Sequence, residues 1–265
     1  MKKHTLIAGA VTLFLVGTVL PGCGQGNSQV TTSGSTNVPT TTTVASTDPA
    51  APAATPATGQ MTIYVARSGS KMRIEGTANI IHPTWQIESP IIGGMMEVGP
   101  NFPMDPGQTV TPGKMDAKVN VFIQVRMLKS VKEDGLHYDD GMDRVMCEHL
   151  KEDLFKQIIY RLTELTLKEA PKTKDAPYVF DAKGDLTVAG VTNKIAMVVN
   201  ILPTTFKGEK RLEITGSTAV KMTDFKVAPV DINLVLGHIK TGDEVKLVFK
   251  WIVGQKKTTG ATATP

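Results

Sequence analysis

Cysteine is nearly absent from this chain, with only Cys23 and Cys147 among 265 residues. A scaffold stapled by several disulfides is therefore excluded. Aromatic residues make up only 5% of the sequence, with two tryptophans, and no basic stripe interleaved with stacking rings can be found. The formal net charge of +4 is dispersed rather than blocked, so nucleic-acid binding has no support. The five histidines, at 4, 82, 137, 149 and 238, show no metal-ligand spacing such as a pair on one helical turn. No nucleophile sits in a strand-turn-helix elbow. Ile92-Gly93-Gly94-Met95 lacks the spacing and the following helix of a phosphate-binding loop. Catalytic residues, metal ligands and cofactors are all left unassigned.

One long apolar run is present, and it lies at the N-terminus. Lys2, Lys3 and His4 precede the uncharged stretch Thr5–Leu20, too short for a comfortable transmembrane span. That arrangement predicts a signal peptide over residues 1–22. Its ending, Leu20-Pro21-Gly22-Cys23, resembles a bacterial lipobox, which implies lipid attachment at Cys23 and a membrane partner reached through that anchor. Loss of the leader removes Lys2 and Lys3 and lowers the formal charge from +4 to +2. Residues 23–60 are Ser, Thr, Ala, Pro and Gly with almost no charge. Such a composition buries too little surface to offset the entropy of ordering, and predicts a disordered tether with a reach of roughly 35 Å. Residues 255–265 read as a flexible tail of similar kind. The expected location is the bacterial envelope, lipid-anchored and facing the periplasm.

Residues 61–254 are long enough for one domain with a sizeable core. Met72, Ile74, Gly76, Ala78 and Ile80 alternate with polar neighbours. Val119, Val121, Ile123, Val125 and Met127 do the same, with Phe122 as the exception. Leu212, Ile214, Gly216, Thr218, Val220 and Met222 form a third series. Val245, Leu247, Phe249, Trp251 and Val253 form a fourth, with Gly242-Asp243 as the preceding turn. Period-two alternation buries one face of each strand, and eight or nine such segments predict a sandwich or a closed barrel. Gly99 to Lys114, rich in Pro and Gly, reads as a long irregular loop at one rim. A helix is predicted with Asp140 as N-cap and Asp143 three residues on, presenting Met142, Val145, Met146, His149 and Leu150 along one stripe. Cys147 beside that stripe reads as a partly buried structural thiol. The acids around His137 read as a solvated loop capping the helix rather than as a cation site.

The stretch from Gly184 to Lys194 reads as a hairpin. Leu186 and Val188 alternate with Asp185 and Thr187, Gly190 to Asn193 supply turn residues, and Ile195-Ala196-Met197-Val198-Val199 begins the next strand. Gly184-Asp185-Leu186-Thr187, followed by Gly190-Val191-Thr192, resembles the signature of the YceI-like family of lipocalin-like, polyisoprenoid-binding envelope proteins. The resemblance runs over residues 61–253 and is strongest from Val119 onward. His149-Leu150 and the Phe155–Tyr160 run occupy the region where the family carries a short helix with a histidine-leucine pair. Glu75–Trp85 resembles the opening segment of a subset of these proteins. The resemblance implies an all-β fold: an antiparallel lipocalin-like barrel of about eight strands, with one short helix inserted between the middle strands.

The apolar interior is the remaining candidate for function. Met72, Ile74, Val121, Ile123, Tyr160, Leu186, Val188, Met197, Val199, Leu247, Phe249 and Trp251 are the candidate ligand-binding residues. Alternation is equally required by a packed core, so a solid-cored structural or interaction lipoprotein stands as the alternative. If the barrel is hollow, a lining of Val, Ile, Leu and Met would strip a polar solute of solvation without compensation. An isoprenoid gains about 0.8 kcal/mol per buried CH₂ before ordering costs. The expected partner is then an apolar isoprenoid of polyprenol or quinone type, carried without catalysis.

Overall fold

The computed structural model describes residues 59–79, 84–234 and 237–256. The signal peptide, Cys23 and nearly all of the tether lie outside these residues, as do Ile80, His82 and most of the tail. The described chain runs through β1 (Thr62–Ala66), β2 (Lys71–Ala78), β3 (Thr84–Ser89), β4 (Gly93–Val98), β5 (Gly113–Met115), β6 (Ala117–Gln124) and β7 (Lys129–Val131). It continues through α1 (Asp140–His149), β8 (Gln157–Glu169), β9 (Tyr178–Val188), β10 (Val191–Phe206), β11 (Glu209–Lys221), β12 (Asp231–Leu234) and β13 (Gly237–Gln255).

Eight of these strands close a ring. Each pairs antiparallel with the next in the order β1, β4, β6, β8, β9, β10, β11, β13, and β13 pairs back onto β1. β1 and β2 lie end to end along β13, Tyr64 opposite Gln255 and Met72 opposite Phe249. β3 and β4 are likewise end to end, as are β6 and β7, so the architecture is an up-and-down barrel with three interrupted walls. Closure leaves the ring itself without a free edge. Inward residues of β9, β11 and β13 such as Phe180, Leu212 and Val253 are fully buried. Each gains about 1.5–3 kcal/mol over exposure.

The interruptions correct two sequence expectations. The alternation through Val125 and Met127 does not continue as strand, because a single 3-10 turn at Val125–Met127 breaks it. That turn resets the register, and Leu128 and Ser130 then face inward, both fully buried. Gly242-Asp243 is not a turn before the last strand, since β13 runs straight through it with a register shift against β2. Asp243 instead accepts from the backbone N–H of Thr223 at 2.9 Å and from its hydroxyl at 2.7 Å, tying β13 to the loop after β11.

The β9–β10 hairpin is tighter than the residues suggested. Val188 pairs with Val191 and Asn193 with Leu186, so only Ala189 and Gly190 form the turn. Their φ angles of 47° and 80° are both positive, as a two-residue turn matching the strand twist requires. A Cβ on Gly190 would also run into the Phe155 ring. Gly190→Val is therefore expected to destabilise the barrel by about 1–3 kcal/mol in denaturant unfolding. A midpoint equal to wild type would contradict this.

Among the strands β7 pairs only with β3; on its other side Val131 bridges to His137 and Ser130 O accepts from Tyr138 N, and α1 packs beside it. Asp139, one residue earlier than expected, is the N-cap, accepting from Met142 N at 2.9 Å. Asp143 is needed elsewhere. Its buried carboxylate accepts from the edge-strand N–H of Ser130 at 2.7 Å, from His137 at 2.9 Å and from Lys129 Nζ at 3.0 Å. Burial alone would raise its pKa, but the Ser130 N–H and the Lys129 ammonium outweigh it and hold the carboxyl at about 2. His137, Asp140 and Asp143 do converge within 4.8 Å, yet Lys129 already supplies a positive charge there. Because the folded pKa lies below the unfolded one, this contribution is complete above about pH 4 and is lost as pH falls through about 2. Wild type should lose about 2 kcal/mol over that window, and Asp143→Asn should flatten this part of the profile. Identical acid profiles for the two proteins would refute the assignment.

Candidate functional site

The barrel is stoppered at both ends. At the end where β4 and β8 finish and β9 begins, Phe102 from the 99–112 loop stacks on Phe180, ring centroids 5.7 Å apart. Tyr178 donates its hydroxyl to Gln108 O at 2.6 Å, and Lys210 pairs with Asp105 at 2.7 Å, so this loop is packed rather than loose. At the opposite end Phe225 and Val227 are buried. Asn193 Nδ2 donates to Asp224 O at 2.8 Å, and His149 Nδ1 meets Ala228 O at 2.9 Å, joining α1 to the loop after β11.

Between the stoppers lies an apolar hollow. Its volume is about 120 Å³. Met72, Val121, Ile123, Tyr160, Leu186, Met197, Val199, Leu247, Phe249 and Trp251 wall it, ten of the twelve candidates. Ile74 and Val188 are not brought to it. Ile74 pairs across to Ile87 and packs in the core, and Val188 sits beside the Ala189-Gly190 turn. Among the wall residues not anticipated are Ile92, Met96, Val119, Ile195, Ile201 and Ile214. Ile195 and Ile201 continue the β10 alternation of Met197 and Val199, so the same two-residue period could have found them.

The lining distinguishes a hollow from a packed core. Val119, Val121, Tyr160, Ile195, Met197 and Phe249 face the interior yet keep part of their surface uncovered. Interiors that are filled by their own side chains do not leave such surface. Glycines shape the walls: the Tyr160 ring lies over Gly184, and Phe249 lies over Gly216 on the paired strand. Among the described residues no Asp, Glu, Lys, Arg or His lines the space. Tyr160 is kept un-ionised by burial first and by the negative charge of Asp185 second, its pKa pushed up to about 12. Its hydroxyl and the Trp251 Nε1–H have no hydrogen-bond partner among the described residues. Among the described residues no helix is long and apolar enough to cross a membrane.

An eight-stranded antiparallel barrel closed on itself around an apolar hollow defines a lipocalin-like class of protein. The profile of the YceI-like domain matches residues 28–252, and the chain belongs to that family. Several solved structures are similar. One is a polyisoprenoid binding domain from Saccharophagus degradans implicated in plant cell wall breakdown, with 10% identity, 74% of this chain and 100% of that one covered, and a TM-score of 0.49. BcnA of Burkholderia cenocepacia shares 11% identity over 68% of this chain and 95% of its own, with a TM-score of 0.43. The Campylobacter jejuni YceI protein shares 16% over 64% and 85%, with a TM-score of 0.42. No curated protein matches the sequence significantly.

Proposed function

We propose that this chain is a lipid-anchored envelope protein that holds an apolar isoprenoid inside its barrel and performs no catalysis. The observation that carries the reading is the uncharged hollow whose inward side chains are not fully covered by one another. A hydrocarbon chain covers that surface at about 0.8 kcal/mol per CH₂, whereas a polar solute finds few partners there. The volume of about 120 Å³ is narrow for a long chain, so entry requires the walls to yield. Met72, Met96 and Met197, unbranched and polarisable, are the wall side chains suited to doing so. Membership of the YceI-like family supports the same reading. The leader and lipobox-like ending at Cys23 support delivery to the envelope, with the domain facing the periplasm.

The test is an organic extract of the full chain purified without denaturation from a lipid-containing host, read by mass spectrometry. A co-purifying isoprenoid is the expected result. Repeated recovery of protein with no lipid would turn the balance to a structural lipoprotein.

A further inference from the structure

We propose that the Phe102 end of the barrel docks on an anionic phospholipid surface, with the tip of the β10–β11 hairpin entering the interface. The inference rests on the anchored reading and adds an orientation to it. The hairpin projects from the rim. β9 stops pairing with β10 at Ile201, opposite Tyr178, and β13 follows β11 only as far as Arg211, opposite Gly254. Past these points β10 and β11 pair only with each other, up to the Lys207-Gly208 turn. At the tip Phe206 is half exposed, with the Arg211 guanidinium 4.3 Å and the Lys207 ammonium 5.5 Å from its ring. An aromatic ring among cations suits a headgroup boundary, where the ring leaves water for the acyl chains and the cations meet phosphates.

Charge points to the same end. Between Lys168 and Asp175, between Lys207 and Arg211, and at Lys256, lysine and arginine outnumber carboxylates by seven to three. Elsewhere on this rim Arg67 and Lys114 offset Asp105 and Asp116. Lys210 and Arg211 pair with Asp105 and Glu209. Lys172, Lys207 and Lys256 are exposed and pair with no carboxylate among the described residues. The Phe225 end has the contrary balance, with eight carboxylates to five cations between Lys129 and Lys156, around α1. An anionic surface attracts the first end and repels the second. Connectivity agrees. The chain leading back to Cys23 leaves from the Phe102 end, where Gly59 lies against Pro100 of the stopper loop. A tether with a reach of roughly 35 Å holds this rim near the membrane at an effective concentration on the order of millimolar. A contact too weak to recruit a free protein is then occupied. Docked in this way, the loop that carries Phe102 faces the lipid.

The experiment mixes the full chain, as its host makes it, with vesicles and reads flotation and fluorescence. The vesicles are phosphatidylcholine alone or an equal mixture with phosphatidylglycerol, each with brominated acyl chains that quench an indole touching them. Phe206→Trp and, at the opposite end, Leu154→Trp each add one indole at an exposed apolar position. Each is compared with wild type to remove the signal of Trp85 and Trp251. On the mixed vesicles Phe206→Trp should shift its emission to the blue and lose intensity, and Leu154→Trp should do neither. Lys172→Gln and Lys207→Gln, each added to Phe206→Trp, should lower the docked-to-free ratio about fivefold. Salt at about 1 M should release the tip, since charges are then screened beyond roughly 3 Å. Equal quenching of Leu154→Trp and Phe206→Trp overturns the orientation, and equal quenching on the two vesicle types overturns the anionic partner. Flotation with both vesicle types and no quenching of Phe206→Trp overturns the docking face and leaves the anchor intact. Flotation with the anionic vesicles alone, with Phe206→Trp quenched, keeps the face and removes the anchor. A chain that floats with neither overturns both.

Discussion

Val121→Trp is expected to abolish lipid uptake while leaving the ligand-free barrel nearly as stable as wild type. Val121 stands on β6 between Gly94 on β4 and Tyr160 on β8, and its side chain walls the hollow without being fully covered. An indole there occupies space that a ligand would take. Displacing one isoprene unit of five carbons forfeits about 4 kcal/mol of burial, or roughly a thousandfold in affinity. In a filled core the same substitution would overpack and destabilise by about 1–3 kcal/mol. Denaturant unfolding and lipid binding measured on the same variant separate the two cases. Lost stability in a protein that never binds lipid would refute the hollow.

Cys23→Ala should move the protein from the membrane fraction to the soluble one. The charged start, the apolar run Thr5–Leu20 and the ending Leu20-Pro21-Gly22-Cys23 motivate the expectation. Once the leader is removed, the chain from Gly24 to Gln60 has scarcely any large apolar residue to replace several acyl chains as an anchor. Fractionation together with intact mass measures both the location and the modification. Pelleting unchanged in the variant, with no acyl mass on the wild type, would remove the anchor from the account.

The two-residue period of Val245 to Val253 and of Leu212 to Val220 made the barrel walls legible, because a half-buried strand can be written in no other way. Depth along the axis was not legible. Ile74 and Val188 obey the same period as Met72 and Leu186 yet lie outside the lining, since alternation selects a face and says nothing of height. The breaks at Arg67–Ser70 and Val125–Met127 were also hidden. They arise where one wall must pass from one neighbour to another, a demand of the closed ring rather than of local residues. Asp143 shows the same limit: by spacing it belongs to a helix cap, but an unpaired edge N–H on Ser130 claims its carboxylate.

The seam that closes the ring joins Tyr64 to Gln255, the first strand to the last. Every other join in the ring links strands closer in sequence, and the β9–β10–β11 meander is joined by two-residue turns. Local hairpins of that kind form in microseconds, whereas a pairing across nearly the whole domain must wait for the intervening chain to be ordered. A nascent chain cannot complete this seam until its final strand has been made. The hollow comes into being last, at the moment the first and last strands meet. A lipid present at that moment could be enclosed as the wall zips shut, without threading past either stopper.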